Sequence, residues 1–171
     1  MYNEEKFKEL VHYVCWKSED PAKLGATKLN KVLWFSELNT FLRTGSSISG
    51  SKFVKRQFGP VPKAILQILD RLQDEQKIVI RDSDYYGRSK RDFISIKRPN
   101  LNVFSSEEIS LVDKMINVVC EKHTAASISS ISHDSVWEMA EIGEEMPLYT
   151  VFAKRGEVTE DDISWARSVA A

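Results

Sequence analysis

The sequence predicts a mainly α domain with one small β-hairpin, an α+β fold. Three observations carry this. Apolar residues recur at helical spacing in most segments of the chain. Only the runs Ile78-Val79-Ile80 and Phe93-Ile94-Ser95-Ile96 have strand character. Glycines, prolines and capping residues fall between these segments, where breaks are needed.

Residues 4–17 read as a first helix, with Phe7, Leu10, Val11, Val14 and Cys15 on one stripe. Asp20-Pro21 interrupts it. Thr27 looks like the N-cap of a second helix running to about Leu42. Trp34, Phe35 and Leu38 make this helix apolar nearly all round, which predicts a central position. Gly45 ends it.

The stretch from Ile48 to Pro62 reads as an extended or single-turn segment followed by a rigid elbow, Gly59-Pro60-Val61-Pro62. Proline fixes its own φ and drives the preceding residue out of the helical region. Pro62 suits the first turn of a third helix reaching about Gln76, with Ile65, Leu66, Ile68, Leu69 and Leu72 inward. Residues 77–97 then form the hairpin, with Asp82 to Lys90 as the connection and Gly87 as its turn residue. A hairpin placed after the third main helix is winged-helix-like. Ser105 and Glu108 make a capping box for a helix bearing Ile109, Val112, Ile116 and Val119. Short helices follow over about 124–131 and 133–140, then a loop from Gly143 to Tyr149. Thr159 and Asp162 cap a last helix, 159–170, expected to pack on a single domain spanning 1–171.

Composition bounds the function. The chain has 171 residues, enough to bury a core without staples. Cys15 and Cys120 each lie on an apolar helical stripe, so small buried hydrophobes fit them better than a disulfide. The polar start and the lack of any run of ~18 apolar residues predict a soluble cytoplasmic protein with no membrane partner. Charge is uneven. Residues 1–99 carry 19 basic and 12 acidic residues, +7; residues 100–171 carry 5 and 13, −8. This fits a charged partner surface, or two halves that attract each other.

Catalytic patterns are weak. His12, His123 and His133 lack paired ligand spacing, so neither a metal nor another cofactor is expected. Ser49-Gly50-Ser51-Lys52 matches Ser-x-x-Lys without its partner motifs. His133-Asp134-Ser135 holds triad residue types, but neighbours in sequence cannot adopt triad geometry with one another. A non-enzymatic role follows.

Two features stand out. Lys77 to Arg98 holds seven basic residues against three acidic. Arg88, Lys90 and Arg91 are therefore candidate nucleic-acid contacts, unless the hairpin is simply solvated. The second feature is Ile48 to Pro62, where Phe53 and Phe58 alternate with Lys52, Lys55 and Arg56. The aromatic and arginine side chains suit an interface anchor on a rigid elbow, or the two phenylalanines are core.

The order Lys28-Leu29-Asn30-Lys31-Val32-Leu33-Trp34-Phe35, Thr44-Gly45, Ile48-Ser49-Gly50, Phe53 and Phe58-Gly59-Pro60-Val61-Pro62, then Ser130-Ile131-Ser132-His133 to Trp137 with Gly143-Glu144, resembles the Panacea domain family. This is the family of SocA-like antitoxins and phage-associated GepA-like proteins. Its members share a "KL.KLLYFA" helix, a "G..I.G" turn and a "GPV" elbow. The likeness runs from about Leu24 to Gly143. It departs at Trp34-Phe35-Ser36 and at Phe53, where Tyr is common. The resemblance implies an antitoxin that neutralises a cognate toxin encoded beside it by direct binding. SocA-like members can also hand the toxin to a protease. The expected contact residues are Phe53, Arg56, Phe58 and Trp137, with Gly59 and Pro60 setting the shape. A nucleic-acid-binding or prophage regulatory role for the basic hairpin is the alternative.

Overall fold

The computed structural model describes residues 1–154, without the side chains of Tyr85, Arg88, Ala153 and Lys154. The capped helix expected over 159–170 lies outside the described residues. Helix α1 spans Glu4–Lys17 and starts from Asn3, whose side chain accepts the Lys6 N–H. Helix α2, Pro21–Thr44, begins six residues earlier than Thr27 because Asp20 caps it, accepting from the Ala22 N–H. It breaks at Gly25 (φ 63°, ψ 167°) and is regular from there to Gly45, which ends it at φ 75° as expected.

The apolar girdle of α2 does place it at the centre. Leu29, Val32, Leu33 and Trp34 are buried, and α1, the later helices and both hairpins pack around it. Between α2 and the elbow, Glu37 is buried and accepts from the Ser49 amide and hydroxyl. The 48–51 turn is thereby bolted to α2 by a carboxylate whose pKa burial raises, against the opposing Ser49 bonds.

The elbow itself differs from expectation. It is a second hairpin, strands β1 (Phe53–Arg56) and β2 (Gly59–Pro62), paired antiparallel from Phe53↔Pro62 to Arg56↔Gly59 around Gln57-Phe58. Pro62 thus closes a strand instead of opening a helix. A proline is tolerated there because β2 is an edge strand. The third helix, α3, starts only at Ile65 and ends at Asp74. It turns Ile65, Ile68, Leu69 and Leu72 inward, while Leu66 is exposed.

The expected hairpin follows α3, but it is longer. Strand β3 is Ile78–Tyr85 and β4 is Arg88–Ser95, joined by Tyr86-Gly87. Tyr86 (φ 52°) and Gly87 (φ 75°) both take positive φ, the signature of the tight turn that matches strand twist. The polar stretch 82–90 therefore pairs as strand because opposite charges face across it, Arg81 with Asp92 and Asp82 with Arg91.

The capping box of Ser105 and Glu108 opens α4, Ser106–Ile116. A π-turn over Asn117–Glu121 carries the stripe on to buried Val119 and Cys120. Helix α5 (Ala125–Ser132) is capped by Thr124, and α6 (Ser135–Met139) by Asp134. The expected loop from Gly143 lies along β1. The Lys55 N–H donates to the Glu144 carbonyl, and the Gly143 and Met146 N–H groups donate to Lys55 and Phe53. Cys15 and Cys120 are free and buried, and burial pushes the Cys15 thiol up to about 12. Among the described residues no helix is long and apolar enough to cross a membrane.

Candidate partner-binding site

The β1–β2 tip is fixed from three sides. Gly59 sits at φ 106°, where side chains are strained. A Cβ there would also fall inside contact distance of Lys31 Nζ on α2 and Ser132 Oγ at the end of α5. The absence of a side chain is what allows α2, α5 and the hairpin to meet. Pro60 is buried beside it.

Trp137 binds the tip from the α6 side. Its Nε1 donates to the Arg56 carbonyl at 3.3 Å. His133 stacks on its ring, with centroids 3.7 Å apart and planes 4° from parallel. The Lys55 ammonium lies 4.1 Å from the same ring, a cation–π contact. Lys55 also donates to the carbonyls of Ala140 (3.0 Å) and Glu138 (3.4 Å).

The expected contact residues divide. Phe58 is 58% exposed at the turn, and Arg56 is exposed beside it. Trp137 is half-buried. Phe53 is 1% exposed and packs edge-on against Trp34, with centroids 5.0 Å apart. It supports the hairpin from inside and has no surface to offer a partner, because strand alternation turns it toward α2.

Sequence reasoning assigned no role to Lys31, Lys55 or His133 at this site. Lys31 had a signal: it interrupts an apolar run on a helix expected to be central. Lys55 also had one, sharing the Phe53 face of β1 by alternation. Burial, with Lys31 and Lys55 nearby, lowers the His133 pKa, against the opposing Phe58 backbone and Glu138.

Exposed apolar residues stand next in sequence to residues that touch the tip. Met139 is 86% exposed, and Ile131 and Ile142 are exposed as well. Each adjoins a residue that touches the tip: Ala140 with its Lys55 bond, Ser132 beside Gly59, and Gly143 bonded to Lys55.

The basic hairpin is arranged differently. Lys90 folds inward over Gly25, donating to the Pro21 carbonyl (2.7 Å) and Asp92 (2.8 Å). Arg91 is exposed, 3.9 Å from Asp82. Arg88 lies in β4, and its side chain is outside the described residues.

No curated protein and no solved structure matches the chain. The model of the SocA-like antitoxin Panacea domain matches residues 29–138. The matched span contains Lys31, the whole β1–β2 hairpin, His133 and Trp137, the residues that meet at the tip. The chain belongs to the SocA-like antitoxin family with a Panacea domain.

Proposed function

We propose that this chain is a non-enzymatic antitoxin that masks a cognate toxin with the β1–β2 tip and the adjoining face of α6. The observation that supports this most is the exposed, rigidly held tip. Phe58 and Arg56 project from a turn locked by Gly59 and Trp137, and Met139 and Ile142 extend the apolar surface beside it. Aromatic and arginine anchors on a preorganised surface are the usual carriers of interface energy. Phe58, Arg56 and Trp137 are the contacts, with Gly59 and Pro60 setting the shape.

Co-expression with the product of the neighbouring gene tests the reading. The parent chain rescues growth. Phe58→Glu and Arg56→Glu lose rescue while remaining folded by circular dichroism. Rescue by both variants at the parental level would remove the tip from the interface. Handing the toxin to a protease is a separate step. It shortens the toxin's half-life only when the antitoxin is present.

The alternative is nucleic-acid binding through Arg88, Lys90 and Arg91. Exposed Arg91 favours it. Lys90 and the cross-strand ion pairs count against it, since they already use charge that phosphates would need. Salt-sensitive DNA binding lost in Arg91→Ala would support it, and no binding at low salt would eliminate it.

A further inference from the structure

Among the described residues, Lys31 and Lys55 at the tip have no carboxylate partner. Lys31 is 1% exposed, and among the described residues it makes no hydrogen bond or ion pair. Burial alone acts on its ammonium and brings it down to about 8. Among the described residues, the Lys55 ammonium donates to carbonyl oxygens alone. The Nε2 of His133 is buried without a hydrogen-bond partner. Glu138, whose charge opposes the lowering of the His133 pKa, is exposed and in no ion pair among the described residues. Among the described residues, buried Lys8 and half-buried Lys77 and Lys90 are matched by Glu75, Glu9 and Asp92, while half-buried Lys28 donates to the Cys120 carbonyl.

A buried ammonium without a counter-charge opposes folding. Packing gives no reason for it, since a methionine would occupy similar space at lower cost. Its charge acts through a low-dielectric surrounding, where attraction to an incoming anion is strong.

We propose that Lys31, Lys55 and His133 form the receptor for a carboxylate of the bound toxin, an Asp or Glu side chain flanked by apolar residues. The inference rests on the antitoxin reading above. Charge complementarity fixes the sign of the partner group, and exposed Phe58, Met139 and Ile142 fix its apolar flanks. A protein carboxylate fits better than nucleic acid. The charge is one compact cluster within apolar surface, whereas a phosphate backbone calls for a run of basic residues along its path.

The test is a double-mutant cycle with the neighbouring gene's product as the probe. Lys31→Met folds and melts at or above the parent temperature, yet binds the toxin at least tenfold more weakly. In parallel, each toxin Asp and Glu is changed to Asn or Gln and titrated against the parent chain, a series independent of how Lys31→Met folds. One of these changes weakens binding at least tenfold and adds nothing further when combined with Lys31→Met. Three outcomes overturn the proposal: parental affinity in Lys31→Met, no toxin carboxylate change with an effect, or competition for the tip by a single-stranded 20-mer oligonucleotide. A parent chain that does not bind this product at all counts against the antitoxin reading itself, whereas parental binding by Lys31→Met sinks the carboxylate site alone.

Discussion

Gly59 and Lys31 meet at the tip, and each makes a prediction at the scale of a single residue. Gly59→Ala adds a methyl at φ 106°, against Lys31 Nζ and Ser132 Oγ. Strain and displacement together cost about 1–3 kcal/mol, which chemical denaturation measures, and the tip moves away from α5. Lys31→Met has the opposite sign. Removing an uncompensated buried ammonium raises stability at pH 7 by on the order of 1–3 kcal/mol. The pH dependence follows from linkage. The folded state releases the Lys31 proton near 8, while the unfolded chain keeps it to the ordinary lysine value of 10.5. The cost of the charge is therefore full below pH 8 and is relieved as pH rises above it. Denaturation from pH 7 to 10 shows the parent gaining stability relative to Lys31→Met, so the gap between them narrows. A gap that stays constant would mean that Lys31 is solvated.

At the scale of elements, legibility tracked how local the cause was. Caps and stripes act within a few residues, so Ser105-Glu108, Gly45 and the central α2 were readable. The β1–β2 hairpin was not. Four residues per strand, two prolines in β2 and no alternating apolar pattern hid it, and its order comes from Trp137 and residues 143–146, more than 80 positions away. The same distance hid the site. Lys31 and Lys55 each carry a faint local signal, but only the fold brings them together with His133. The length of β3 and β4 was missed for a related reason. Their paired charges look like loop until the strands face each other. Phe53 and Phe58, five residues apart, show the limit most clearly: equal in residue type, one is core and the other surface, and only the hairpin register separates them.

The charge asymmetry of the whole molecule is used within it. Lys6 pairs with Glu108 (2.7 Å), Lys17 with Asp113 (3.7 Å), Lys23 with Glu121 (2.8 Å) and Lys52 with Glu145 (3.0 Å), each joining the basic first part to the acidic second. Surface pairs contribute ~0–1 kcal/mol each, so they orient the halves more than they stabilise them. Acid sensitivity comes from a different group. Hydrogen bonds from Lys8 and then Lys77 hold Glu75 down to about 2. Burial would raise buried Glu9, but bonds from Lys77 and the Asn100 amide more than offset it and leave its pKa lowered. Carboxylates depressed in the folded state contribute stability above their unfolded pKa and lose it as pH falls through the folded one. Stability therefore declines from pH 4.5 toward 2, followed by circular dichroism. Lys77→Met, which leaves Glu9 buried beside His12 without its cation, costs about 2–4 kcal/mol at pH 7. It also flattens that decline.

Amide hydrogen exchange shows whether the toxin is held at the β1–β2 tip. The protein is compared alone and saturated with the neighbouring gene's product. New protection is expected over residues 56–59 and 137–143, with exchange in β3–β4 unchanged. Protection confined to residues 81–91, with the tip exchanging as it does in the free protein, would contradict it.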